Sequence, residues 1–143
     1  KAKEAYRIRW DDVVYQPGTL KVVAYRNGEP WAEEIVKTAG AAREAALETD
    51  YAGKDLTFVT VRLQDKDGNL VPDADNKLSF SLKGPGEIVA TDAGDPTSHV
   101  PFSSTEIKAF HGLASVIIRR TGEGSVTLSV SADGLKSAKL PLP

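Results

Sequence analysis

The most constraining feature of this sequence is an alternation of apolar and polar residues with a period of two. In residues 77–84 (KLSFSLKG), Leu78, Phe80 and Leu82 alternate with lysines and serines. Residues 125–132 (SVTLSVSA) repeat the pattern. Because successive side chains of a β-strand point to opposite faces, each segment is predicted to be a strand with one buried and one wet face.

Two further segments extend the strand pattern. LTFVTVRLQ places Val59, Val61 and Leu63 on one side, and residues 113–120 (LASVIIRR) are apolar enough to be buried on both faces. The turn signals between the segments are Asp67-Gly68, Gly84-Pro85-Gly86, Asp92 to Pro96, Gly122-Glu123-Gly124 and Asp133-Gly134. Short strands, frequent turns and no long segment at helical spacing predict an all-β sandwich over residues 41–142.

The first part of the chain has a different organisation. Residues 6–10 (YRIRW), 18–28 (GTLKVVAYRNG) and 30–38 (PWAEEIVKT) are candidate strands, with Asn27-Gly28 as a hairpin turn. Three strands within about 40 residues cannot build an adequate core alone. We therefore expect this block to pack on the second domain, on another chain or on sequence outside this chain.

The domain boundary is predicted near Ala39-Gly40, which gives an incomplete first domain over 1–39 and a sandwich domain over 40–143. The segment AGAAREAALETD at this boundary has a helix-forming composition. At barely three turns it would be marginal as an isolated helix. We interpret it as a linker that leads into a first strand near residues 45–49.

Composition excludes several classes of function. The 143 residues carry 18 basic and 20 acidic side chains, a formal net charge of -2, without a basic stripe for nucleic acid. Apolar runs are far shorter than the roughly 20 residues that span a bilayer, so no membrane partner is expected. Cysteine is absent, which removes disulfides and thiolate metal sites. Methionine is absent even at position 1, and the opening KAKEAY suggests a piece of a longer protein.

The acid-rich stretch LQDKDGNLVPDADN, residues 63–76, contains the candidate metal ligands. Asp65, Asp67 and Asn69 alternate as in the opening of a calcium loop. The bidentate glutamate of such loops is replaced by Asn76, and the flanking helices are missing. A hairpin turn at the Asp-Gly pair is the favoured interpretation, and a calcium site is the alternative.

The sequence shows no set of residues typical of a catalytic site. His99 and His111 lie in loop-like surroundings without the ligand spacing of a zinc site. No G-x-S-x-G turn supports a serine nucleophile. Glu87, Glu106 and Glu123 are interpreted as solvated side chains at strand ends rather than a glycosidase pair. The sequence predicts no catalytic residue and no cofactor.

Aromatic residues are concentrated in the first third of the chain, namely Trp10, Tyr15, Tyr25, Trp31 and Tyr51. Burial in a core or between domains is the favoured interpretation, since such residues bury large areas. The alternative is a platform for sugars, with contacts from Trp10, Trp31 and Tyr15.

Several motifs recur in the order found in one known family. Residues 52–99, KAFHGLASVIIRR and GSVTLSVSADGLKSAKLPL resemble the C-terminal immunoglobulin-like domain of glycoside hydrolase family 2 enzymes, in particular β-galactosidases of gut-bacterial glycan degraders. WDDVVYQPGTLKVVAYRNGEPW resembles the end of the sandwich domain that precedes it in those enzymes.

The resemblance implies a role for the acid-rich stretch. Gly68 makes a turn, Val71 and Pro72 start the next segment, and residues 74–76 fix a loop before the following strand. Ala93 departs from the family pattern, which tends to have asparagine there.

The resemblance also implies an immunoglobulin-like β-sandwich that acts as a non-catalytic domain of an enzyme hydrolysing terminal β-galactosides. The catalytic glutamates of that family lie in a (β/α)₈ barrel, so no catalytic residue is carried over to this chain. The implied partners are the other domains of the parent enzyme, and the implied location is periplasmic or extracellular. Two alternatives stay open, a carbohydrate-binding module and a bacterial surface repeat, as do a glycan or a second copy as partner.

Overall fold

The computed structural model describes residues 7–143, and the regular structure of this part of the chain is entirely β-strand. The strands are β1 (Thr19–Arg26), β2 (Glu29–Lys37), β3 (Glu44–Ala52), β4 (Leu56–Gln64), β5 (Lys77–Lys83), β6 (Gly86–Asp92), β7 (Glu106–Lys108), β8 (Leu113–Arg120), β9 (Val126–Ala132) and β10 (Ala138–Leu142). The chain divides into two compact units, Lys1–Thr38 and Ala39–Pro143. Over the described range, no helix is long and apolar enough to cross a membrane.

The first unit contains the antiparallel hairpin β1-β2. Its turn is formed by Asn27 and Gly28, with φ values of 53° and 88°. Two successive positive φ angles match the right-handed twist of the paired strands, which is why Asn-Gly is favoured there. The predicted hairpin is confirmed.

The predicted strand over residues 6–10 is wrong for the part that the structure describes. Ile8 makes only an isolated bridge, and a turn at Asp11 and Asp12 follows soon after it. A strand needs a neighbour along several residues to satisfy its backbone, and this segment has too little length before the turn. Tyr6 lies outside the described residues.

The second unit is a sandwich of two antiparallel four-stranded sheets. Their orders are β3-β4-β8-β6 and β10-β9-β5-β7. β3 begins at Glu44, inside the segment AGAAREAALETD, so only residues 39–43 lead into the strand, and the predicted first strand near residues 45–49 is confirmed. The all-β sandwich expected from the sequence is confirmed.

The core lies between the two sheets and follows the period of two. Val59, Val61 and Leu63 of β4 are fully buried, as predicted, and pack with Val116 of β8 and Leu128 of β9 in one apolar cluster. Each of these side chains leaves water on the inner face of its sheet, so hydrophobic burial holds the two layers together. The face of β8 that carries Val116 is buried and the opposite face is only half-buried, so the predicted burial on both faces is wrong for the outer face of the sheet.

The acid-rich stretch connects the two sheets instead of forming a hairpin. β4 belongs to one sheet and β5 to the other, so residues 65–76 carry the chain across the sandwich. After the turn, Leu70 forms a single antiparallel bridge with Gln64, and the chain then crosses to the other sheet. The prediction of a turn is confirmed, but the prediction that it joins two paired strands is wrong.

Gly112 fixes the loop after this turn. Its N–H donates to the carbonyl of Ala74 at 3.0 Å, and its carbonyl accepts from the N–H of Leu63 at 2.8 Å. With φ of 74°, a Cβ here would lie 2.3 Å from the carbonyl oxygen of Val71. Glycine is therefore required both for the backbone angle and for the close approach of the two chain segments.

Candidate functional site

Asp65 forms the polar centre of the acid-rich turn. Its side chain is almost completely buried, with 2% of its surface exposed. Its Oδ1 accepts from the backbone N–H groups of Asp67 and Asn69, each at 2.9 Å. Its Oδ2 accepts from the N–H of Gly40 at 2.8 Å and from the side-chain amide of Asn69 at 3.1 Å. The carboxylate therefore closes the turn and holds the start of the sandwich unit against it.

These donors stabilise the charged form of Asp65. The hydrogen bond from Gly40 lowers the pKa of this carboxyl most, followed by the side chain of Asn69, and burial opposes them. Several N–H donors around one carboxylate favour ionisation because their hydrogen bonds weaken when it is protonated. Asp65 thus stays ionised far below its ordinary titration range.

The hydrogen bonds around Asp65 also affect whether this turn could bind calcium. Asp65 and Asn69 are brought together, but the nitrogen of the Asn69 amide faces Asp65 as a donor. Asp67 contributes its backbone, while its carboxylate pairs with Lys66 at 3.0 Å. Among residues 7–143, no group of three or more His, Cys, Asp or Glu side chains is placed to hold a metal ion. The Asp65 oxygens are occupied by N–H donors, and calcium binding here stays a prediction.

The histidines and glutamates named from the sequence are dispersed. His99 and His111 are exposed, and Nδ1 of His111 lies 3.2 Å from the carbonyl oxygen of Pro72. Glu87 pairs with Arg119 at 2.8 Å, across β6 and β8. His111 and Glu87 thus form surface contacts of the sandwich, and His99 lies on its surface.

Glu106 takes part in a second surface pair. It lies 2.8 Å from the ammonium of Lys77 and accepts from the hydroxyl of Ser79 at 3.2 Å. The side-chain hydrogen bond with Lys77 lowers the pKa of Glu106 and raises the pKa of Lys77. Both side chains are about half exposed, so solvent weakens the pair and its contribution to stability is small.

The candidate sugar contacts all lie in the first unit. Trp10, Tyr15 and Trp31 are 45%, 73% and 68% exposed. Trp31 is the extra residue of a β-bulge, where Ala24 pairs with Ala32 and the next pair shifts. The hydroxyl of Tyr15 lies 3.3 Å from Oγ1 of Thr38. All three rings are exposed enough to contact a partner. Sugar contact by these rings stays a prediction.

A loop that the sequence marked only as a turn borders a depression on the surface of the second unit. The loop over residues 93–105 joins β6 to β7. It borders an open depression of about 490 Å³, lined among others by His99, Val100 and Phe102. Exposed Pro, Val and Phe residues in a turn-rich stretch were the signal that could have marked it.

Comparison with known proteins assigns the second unit. The family model described as glycoside hydrolase family 2 C-terminal domain 5 matches residues 41–141. The chain therefore belongs to this family of C-terminal domains, as the sequence resemblance predicted. A second family model, described as a domain of unknown function (DUF4982), matches residues 1–32.

Individual relatives agree with the family. The chain is 40% identical over 136 residues to the β-galactosidase BoGH2A of Bacteroides ovatus. The aligned region covers 91% of this chain and 16% of the relative. It is 26% identical over 126 residues to a putative β-glucuronidase of Formosa agariphila, with 84% of this chain and 12% of the relative covered. The structure of a β-glycosidase from Bacteroides vulgatus matches with a TM-score of 0.85 and 26% identity, over 91% of this chain and 18% of that one. The chain thus spans less than a fifth of the length of these relatives and corresponds to a C-terminal portion of them.

Proposed function

We propose that this chain is the C-terminal part of a family 2 glycoside hydrolase and that its sandwich is a structural, non-catalytic domain of that enzyme. The observation that carries the proposal is the 40% identity to a β-galactosidase of which the chain covers only 16%. A segment of this size leaves most of the relative, including room for a catalytic barrel, outside the matched region.

The surroundings of the carboxylates support a structural role. Asp65 is surrounded by N–H donors, and Glu87 and Glu106 are engaged in surface ion pairs. A glycosidase needs two carboxyl groups facing each other across a cleft, about 5 to 10 Å apart. Side chains committed to turns and strand pairs do not offer that arrangement.

The substrate class proposed for the parent enzyme is terminal β-galactosides. The 40% identical relative is a β-galactosidase, whereas the relative named as a putative β-glucuronidase is 26% identical. The difference in identity favours the galactosidase.

We further propose that residues 1–39 are the end of a preceding β-sandwich domain and that residues 40–143 are the immunoglobulin-like domain. The division of the chain after Thr38 supports this boundary. The aliphatic side chains on one face of the β1-β2 hairpin also support it: Leu20 and Val36 pair across that face and remain 56% and 59% exposed. A two-stranded hairpin is marginal by itself, and these residues would complete a core with strands outside the chain.

The coding sequence upstream of Lys1 tests the proposal directly. We expect it to encode a (β/α)₈ barrel with two glutamates, and the full-length product to hydrolyse 4-nitrophenyl β-galactoside faster than the corresponding glucuronide. Preference for the glucuronide would reject the galactosidase assignment. Further immunoglobulin-like repeats upstream, with no barrel, would reject the hydrolase and favour a bacterial surface protein.

A second candidate function is glycan binding, favoured by the exposure of Trp10, Tyr15 and Trp31. Galactosides stacking on these rings would quench tryptophan fluorescence, and Trp10→Ala or Trp31→Ala would abolish the quenching. If calorimetry and fluorescence detect no galactoside, this candidate is excluded for those sugars.

A further inference from the structure

Exposed large apolar side chains of the sandwich unit are concentrated in one loop. In residues 39–143, the described large hydrophobic side chains with high exposure are Tyr51, Val100 and Phe102. Two of the three belong to the loop 93–105, where Phe102 is 66% exposed and Val100 44%. Prolines 96 and 101 add apolar surface to the same depression. Clustered apolar residues on an otherwise polar surface are typical of an interaction site.

The start of this loop is stabilised by hydrogen bonds within the loop itself. Oδ1 of Asp95 accepts from the N–H and the hydroxyl of Thr97, at 2.9 and 2.7 Å. The carbonyl of Asp95 accepts from the N–H of Ser98 at 3.1 Å. Hydrogen bonds within a loop lower the entropic cost of ordering it when a partner binds.

The end of the loop is anchored to the sandwich through Thr91, a buried residue of β6. Its N–H donates to the carbonyl of Phe102 at 2.7 Å, and its hydroxyl donates to the carbonyl of Ser104 at 2.8 Å. The backbone of Phe102 is therefore fixed to the core while its ring faces solvent. A rigid backbone with an exposed aromatic side chain is the arrangement of a docking anchor.

Acidic groups form part of the border of the depression. Asp92 accepts from the N–H groups of Ala93 and Gly94 through Oδ1, and Asp95 uses its Oδ1 for Thr97. The second oxygen of each carboxylate takes no part in these bonds. The hydrogen bonds from Thr97 lower the pKa of Asp95, so its charge persists. A complementary partner would present an apolar centre with basic residues around it.

The small size of the patch indicates where its partner comes from. A stable complex between separate chains buries about 800 Å² on each side, which two large apolar residues and two prolines do not provide. A tethered domain needs much less, because the linker gives an effective concentration in the millimolar range. The relatives extend far beyond the matched region, with the chain covering 16% to 18% of their length. A patch of this size therefore favours an occupant from the remainder of the same polypeptide over a separate chain.

We infer that the loop 93–105 docks the sandwich onto another domain of the parent polypeptide, with Val100 and Phe102 as the apolar contact and Asp92 and Asp95 facing basic residues. This inference rests on the proposed function, which supplies the parent enzyme. It adds to that function the surface through which the sandwich is attached.

Hydrogen–deuterium exchange compares this loop in the full-length parent enzyme and in the 143-residue chain. We expect amides of residues 93–105 to exchange at least tenfold more slowly in the parent. Phe102→Ser in the parent should restore the exchange rates of the isolated chain, whereas Tyr51→Ser, a similarly exposed aromatic outside the loop, should not. Equal exchange in the parent and in the chain would overturn the inference.

The same exchange measurement distinguishes a tethered domain from a second copy and from a glycan. Protection that appears only at high protein concentration would indicate a second copy, and protection that requires galactoside would indicate a glycan; either result would overturn docking within the polypeptide. The melting curve of the 143-residue chain with Phe102→Ser should match that of the wild type, which shows that the variant folds. Hydrolysis of 4-nitrophenyl β-galactoside by the same parent preparation tests the proposed function independently of the exchange result.

Discussion

The carboxylate of Asp65 accepts a hydrogen bond from the backbone N–H of Gly40 at 2.8 Å, which ties the first residues of the sandwich unit to the turn after β4. Asp65 also receives the N–H groups of Asp67 and Asn69. One side chain thereby replaces the water that three backbone donors would otherwise need.

Replacing Asp65 with asparagine tests this tie. Asparagine keeps one oxygen for Asp67 and Asn69, but its amide nitrogen faces the N–H of Gly40, so two donors oppose each other. We expect Asp65→Asn to lower the urea midpoint of the chain several times more than Asp67→Asn, which alters an exposed carboxylate paired with Lys66. Equal midpoints for the two variants would show that the contact to Gly40 contributes nothing.

Acid should weaken the fold partly through Asp65. Because the pKa of this carboxyl is lower in the folded chain than its ordinary value of 3.8, the native state is stabilised above that value. The stabilisation is lost as the pH falls through the folded pKa, so the free energy of unfolding should decrease from about pH 5 downwards.

The variant Asp65→Asn should show a shallower decrease in unfolding free energy between about pH 5 and pH 2. A residual slope is expected from Asp95 and Glu106, whose pKa values are also lowered. Denaturation curves across this pH range provide the measurement. Parallel slopes for the variant and the wild type would contradict the assignment of the acid sensitivity to Asp65.

Two glycines separate backbone strain from steric conflict. Gly68 and Gly112 have similar φ values, 79° and 74°. A Cβ added at Gly112 would lie 2.3 Å from the carbonyl oxygen of Val71, whereas a Cβ added at Gly68 would meet no atom within 4 Å. We expect Gly68→Ala to cost about 1 kcal/mol through strain alone. Gly112→Ala should cost about 3 kcal/mol or more, because the loop must also move. Similar losses in urea denaturation would mean that the close approach is relieved without cost.

Leucines in the two units should respond differently to the same substitution. Leu128 of β9 is fully buried, whereas Leu20 of β1 is 56% exposed. Leu128→Ala should reduce the unfolding free energy by about 2 to 5 kcal/mol, through lost burial and a cavity. Leu20→Ala should stay within about 0.5 kcal/mol, as for other surface sites. Calorimetry of the 143-residue chain gives both values, and a large effect at Leu20 would show that the hairpin is already packed in this chain.

Much of the fold could be predicted because its signals are local. The period of two identified β4, β5 and β9, an apolar run identified β8, and Asn27-Gly28 identified the first hairpin. β7 has only three residues and shows no measurable period. The assignment of β4 and β5 to different sheets depends on pairing with distant strands, for which neither segment carries a local signal.

The candidate site was less predictable for a physical reason. The sequence identified Asp65, Asp67 and Asn69 as acidic and amide side chains, but the groups that bind Asp65 are mostly backbone N–H donors. Every residue except proline has such a donor, so no residue type marks it. Phe102 was missed for a similar reason, since one aromatic residue in a loop has no period to reveal its exposure.

Hydrolysis of 4-nitrophenyl β-galactoside by the purified 143-residue chain, with the full-length parent enzyme as the positive control, tests the central claim most directly. We predict turnover by the parent and none by the chain, because the proposed function gives the chain a structural role and places the catalytic groups elsewhere in the parent. Hydrolysis that copurifies with the chain and scales with its concentration would contradict that claim.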